Sequence, residues 1–111
     1  MSDFDAQEQR ILAILGTLNV TKKTLTTYLN YLKKNLEKPC KVIEMQNPKN
    51  TFNLINFVKD FDDFYGLLVN VKRVSDKSEF TYPLADLEVT DKKSKNYQLL
   101  DDYSVWFVNY R

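Results

Sequence analysis

The chain has 111 residues, 43% of them apolar and 28% charged, with a formal net charge of +1. That length supports one domain with a real hydrophobic core, the composition argues against disorder, and the near-neutral charge exerts no global pull toward nucleic acid or anionic membrane. Histidine is absent and cysteine occurs once, at Cys40, which removes Ser-His and Cys-His nucleophile pairs, His-containing or Cys-rich metal sites and any intrachain disulfide. An enzyme would have to work with carboxylates, Lys or Tyr alone, so a non-enzymatic protein is expected. The lone thiol suits a reducing cytosol. The acidic start Met1–Asp5 does not read as a signal peptide, and the early apolar run Ile11–Leu15 is too short to span a bilayer. A cytoplasmic protein without a membrane segment is expected.

In chain order, Ile11, Leu12, Ile14, Leu15 and Leu18 form a helical stripe that Gly16 is placed to end. A second helix is expected from Thr21, whose hydroxyl can cap it while Val20 packs on Leu25. Its apolar face, Leu25, Tyr28, Leu29, Leu32 and Leu36, repeats at three and four residues, and Pro39 stops it. Residues 1–38 thus read as a helical hairpin. From residue 40 the period changes. Lys41–Met45 reads as a short strand closed by an Asn47-Pro48 turn, and Thr51–Lys59 as a strand with a bulge near Ile55. Asp60–Gly66 is a loop. Leu67–Val74 alternates cleanly, Ser75–Ser78 turns, and Phe80 with Tyr82 return toward Pro83, which marks a strand end or a sheet edge. Ala85–Val89 adds a short turn or strand. A final aromatic helix falls within 97–111, with Asp101 or Asp102 as its cap and Tyr103, Trp106, Phe107 and Tyr110 along one face. The expected fold is α+β, a single domain over 1–111. A helical hairpin is followed, over 40–90, by a small, mostly antiparallel sheet or SH3-like barrel, and then by the C-terminal helix.

The segment Val71–Arg111 carries the most specific pattern: Val71-Lys72-Arg73-Val74-Ser75-Asp76-Lys77, then Phe80, Pro83-Leu84-Ala85-Asp86-Leu87-Glu88, then Ser94-Lys95-Asn96-Tyr97 through Asp101-Asp102-Tyr103-Ser104-Val105-Trp106-Phe107. It resembles the cyanobacterial-type small calcium-binding protein family, as does Tyr28-Leu29-Asn30-Tyr31-Leu32-Lys33 through Pro39-Cys40. The resemblance implies a small cytosolic protein that binds calcium through acidic side chains without catalysis. It also implies a Glu/Asp- and Trp-containing stretch soon after the Pro-Cys position. Here Val42–Asn50 holds one acid, Glu44, so a shortened, less acidic member with weakened or lost calcium binding is expected.

Calcium needs six to eight converging oxygens. The densest cluster is Asp60, Asp62 and Asp63, and Asp86 joins the expected ligand set from a second cluster with Glu88 and Asp91. An EF-hand starting at Asp60 fails, because Phe64 stands where an oxygen donor is needed and Tyr65 where glycine is needed. Solvated turn acids are the bland reading of both clusters. Lys22, Lys23, Lys33, Lys34, Lys38 and Lys41 make a local basic face. Lysine without arginine contacts phosphate but reads no bases, which argues against nucleic acid as the partner. The C-terminal aromatics suit a core stripe better than a stacking platform. The alternative to a calcium binder is a metal-free interaction module with a protein partner, recognisable by an exposed aromatic or apolar patch.

Overall fold

Residues 3–111 are described by a computed structural model, with side chains from residue 6 onward, so the acidic N-terminal stretch read for a targeting signal lies largely outside the described residues. Helix α1 (Asp3–Leu15) ends where Gly16 takes φ +75° and donates its amide to the Leu12 carbonyl at 2.7 Å. Glycine enters that left-handed region without steric cost. Leu12 departs from the expected stripe and is exposed, while Ile11 is buried and Ile14 and Leu15 are half-buried against the core.

Helix α2 (Lys22–Asn35) starts as expected at Thr21. The Thr21 hydroxyl accepts from the Thr24 amide at 3.2 Å, and the Thr24 hydroxyl accepts from the Thr21 amide at 2.8 Å. This reciprocal box satisfies two otherwise orphaned donors. Leu25, Tyr28, Leu29 and Leu32 are buried along one face.

Five strands follow: β1 (Lys41–Glu44), β2 (Asn47–Phe57), β3 (Leu68–Arg73), β4 (Glu79–Pro83) and β5 (Leu87–Val89). They form one antiparallel sheet in the order β4-β3-β2-β1-β5. Asn47-Pro48 is not the turn after β1. Glu44 pairs with Asn47, so the turn is Met45-Gln46 and Pro48 sits in the opening of β2, where the register slips. The bulge expected near Ile55 is present between Leu54 and Asn56. Pro83 ends β4, an edge strand, where its missing amide leaves no ladder bond unmade.

The sheet is not closed, so of the two forms left open by the sequence the open sheet is the one observed. Its two edges nevertheless approach at one corner. A single 3₁₀ turn, Leu84–Asp86, carries the chain from edge strand β4 to edge strand β5. Three residues span roughly 10 Å at most, so the sheet must coil into a half-barrel.

Helix α3 (Lys95–Tyr110) plugs that half-barrel, packing on β5 and the 3₁₀ turn on one side and on α1 on the other. Trp106 is fully buried with Tyr28, Tyr103 and Phe107 around it, and its indole N–H donates to the Leu18 carbonyl at 2.8 Å. Asn96 holds both backbone groups of Glu37, at 2.9 and 2.7 Å, which fixes the start of α3 against the segment after α2. The cap is Ser94, whose hydroxyl accepts from the Tyr97 amide at 3.2 Å. Asp101 and Asp102 therefore lie inside the helix, correcting the capping role expected of them.

Candidate metal centre

The acids expected to bind calcium fall on two neighbouring elements. Asp60, Asp62 and Asp63 are exposed on the loop between β2 and β3. Asp62 and Gly66 exchange backbone hydrogen bonds at 3.0 and 2.8 Å. The Asp62 carboxylate accepts from the amides of Phe64 at 2.7 Å and Tyr65 at 2.9 Å. Asp62 is thus engaged as a turn residue, spending one oxygen on its own backbone. Gly66, at φ +73°, lies so close to α3 that a Cβ there would meet the Tyr103 hydroxyl at 2.5 Å and Phe107 at 2.7 Å. The Tyr103 hydroxyl in turn accepts from the Leu67 amide at 2.9 Å. The loop is clamped to the C-terminal helix.

Asp86 stands at the half-barrel corner, where a shallow groove brings it alongside Phe64 and Tyr65 of that loop. Its carbonyl accepts from the Met45 amide at 3.0 Å. Burial, and then the charge of Glu44, push its carboxyl above the ordinary 3.8. The same Glu44, with burial the larger cause, raises the Tyr82 hydroxyl. Asp86 comes beside Glu44 because β5 pairs directly with β1, Glu44 opposite Leu87, whereas β2 and β3 separate β1 from the strand of Tyr82. Two carboxylates set side by side by the pairing of strands distant in the chain is a pattern that local sequence does not announce. Its one sequence signal was Glu44 as the lone acid after Pro39-Cys40.

The remaining acids serve other ends. Glu88 lies 3.8 Å from Lys92. Asp91 accepts from the Lys93 amide at 3.1 Å, and its carbonyl from the Ser94 hydroxyl at 2.7 Å, closing the turn into α3. Asp102 is buried and receives Arg10 at 2.9 Å through both Nε and Nη2, and Gln7 at 2.8 Å. It ties α3 to α1 and raises Arg10, mainly through the hydrogen bond. Cys40 is buried, and loss of solvent pushes its thiol up to about 11.

Among the described residues, no group of three or more His, Cys, Asp or Glu converges to hold a metal ion. The side-chain acids of the described residues therefore do not by themselves supply a full calcium shell. Among the described residues, also, no helix is long and apolar enough to cross a membrane.

Comparison with the curated proteins gives no match. Two solved structures share the fold. A calcium-binding protein in its calcium-binding form is 19% identical, with 97% of this chain and 96% of that one covered at a TM-score of 0.70. The crystal structure of Anabaena CcbP is 18% identical, with 96% and 93% covered at a TM-score of 0.72. The family model for calcium binding of the CcbP type matches residues 9–107, and the chain belongs to that calcium-binding family.

Proposed function

We propose that this protein is a non-enzymatic calcium binder of weakened affinity, and that the ion it takes is held at the half-barrel corner by Glu44 and Asp86. The observation that carries this reading is the placement of those two acids side by side, Glu44 opposite Leu87 in the β1–β5 ladder and the Met45 amide on the Asp86 carbonyl at 3.0 Å, where burial and then Glu44 push the Asp86 carboxyl up. A divalent cation there relieves both the repulsion and the desolvation. Family membership over residues 9–107 supports calcium as the ion. The want of a third converging acid among the described residues supports weak binding, with a Kd on the order of 10⁻⁴–10⁻³ M. Asp62 is committed to its turn, and Asp60 and Asp63 are exposed, so these three act as a negative field that salt screens.

Thermal unfolding tests the reading. At roughly tenfold excess over Kd, calcium stabilises by about 1.4 kcal/mol, magnesium does so less, and Glu44→Gln with Asp86→Asn abolishes the difference. An unmoved midpoint, or a calcium shift that survives the double substitution, overturns it.

A further inference from the structure

The three most exposed large hydrophobic residues among those described are Phe64 at 66%, Val108 at 60% and Tyr65 at 52%, and all three line one shallow groove. Ala85, Asp86 and Arg111 are among its other walls, and its volume of about 170 Å³ admits a single side chain. A contiguous exposed aromatic patch of this kind is uncommon on a soluble protein, and aromatic and arginine residues dominate binding energy at protein interfaces.

The patch is held ready. Phe64 and Tyr65 pack edge to face at 4.8 Å, on a tip fixed by the Asp62 carboxylate and clamped to α3 through Gly66. Arg111 stacks 5.3 Å from the Phe64 ring and 4.8 Å from the Phe107 ring, and donates to the Phe64 carbonyl. Little ordering entropy is left to lose when a partner docks.

The charge around the patch names the partner's chemistry. Asp60, Asp62 and Asp63 stand on the loop and Asp86 on the groove wall, against Arg111 and Lys59. Arg111 is already occupied by the two rings. We infer that this face docks a basic protein segment, which inserts one aliphatic or long cationic side chain between Phe64, Tyr65 and Val108 while flanking Lys or Arg residues meet the aspartates.

The test is an NMR titration of the whole protein in chelator, so that its failure bears on this surface and not on calcium. The probe is a synthetic amphipathic peptide of Lys and Leu, with a Glu and Leu peptide of the same length as control. Saturable shifts are expected at residues 62–66, 85–86 and 107–111 with the basic peptide only. Phe64→Ser with Tyr65→Ser should weaken binding roughly tenfold or more. Asp60→Asn with Asp63→Asn should weaken it several-fold and flatten its salt dependence. Four results overturn the inference: no saturable shifts on that face, equal binding of the acidic peptide, indifference to both pairs of substitutions, or concentration-dependent shifts without peptide. The last would assign the face to a second copy, whose lysine-rich α2 would then be the occupant.

Discussion

Gly66 and Asp102 illustrate how single side chains set distances that function depends on. At Gly66 the left-handed φ and the nearness of Tyr103 and Phe107 act together. Gly66→Ala should therefore destabilise by about 2 kcal/mol or more, read as a lower urea midpoint at unchanged m. The Arg10–Asp102 pair is two-pronged and has one buried partner, the Asp102 side chain at 6% exposure against 42% for Arg10. A double-mutant cycle with Arg10→Ala and Asp102→Ala should give a coupling above about 1 kcal/mol, beyond the range of exposed pairs. A coupling near zero would reduce the pair to a surface contact. From the sequence Asp102 looked like a helix cap, because an acid ahead of Trp106 and Phe107 fits that pattern as well. Only the crossing of α1 over α3 makes it a partner for Arg10, and no local periodicity encodes a crossing.

Among the elements, those with strong local signals were legible. Helix α2 combined a hydroxyl cap with an uninterrupted apolar stripe, and β3 alternated cleanly, Val69 and Val71 inward with Asn70 and Lys72 outward. The misreadings sit where two signals competed. Asn47-Pro48 is a common turn dipeptide, yet pairing of Glu44 with Asn47 moved the turn to Met45-Gln46 and drew Pro48 into the strand opening. Helix α3 starts a turn and a half before Asp101, because Asn96, Leu99 and Leu100 find buried partners and Ser94 offers a cap. That assignment is testable. Ser94→Ala should cost about 1 kcal/mol of unfolding free energy, whereas Asp101→Ala should stay within about 0.5 kcal/mol. The reverse order would restore Asp101 as the cap.

At the scale of the whole molecule, the short link from β4 to β5 coils the sheet, and direct pairing of β5 with β1, Glu44 opposite Leu87, is what puts Glu44 beside Asp86. That neighbourhood was not readable from the sequence, since β1 and β5 lie far apart in the chain and no local periodicity encodes their pairing. The dispersal of the acids was partly readable, in the single acid of Val42–Asn50. The raised Asp86 carboxyl has a pH consequence. Its folded value exceeds the ordinary 3.8, so its contribution to stability is full below that pH and is lost as pH rises through the folded value. Asp86→Asn should therefore be more stable than the parent at neutral pH, with the advantage fading on acidification toward pH 3.8. An advantage constant with pH would remove Glu44 and burial as its cause. The measurement that bears most directly on weakened calcium binding at this corner is a calcium titration of chelator-stripped protein, followed by amide NMR with magnesium as control. The account predicts fast-exchange shifts at Glu44, Met45 and Asp86–Leu87, saturating between about 0.1 and 1 mM, and lost in Glu44→Gln with Asp86→Asn. Shifts centred on Asp60–Gly66 and abolished by Asp62→Asn with Asp63→Asn, or no shifts at millimolar calcium, would contradict it.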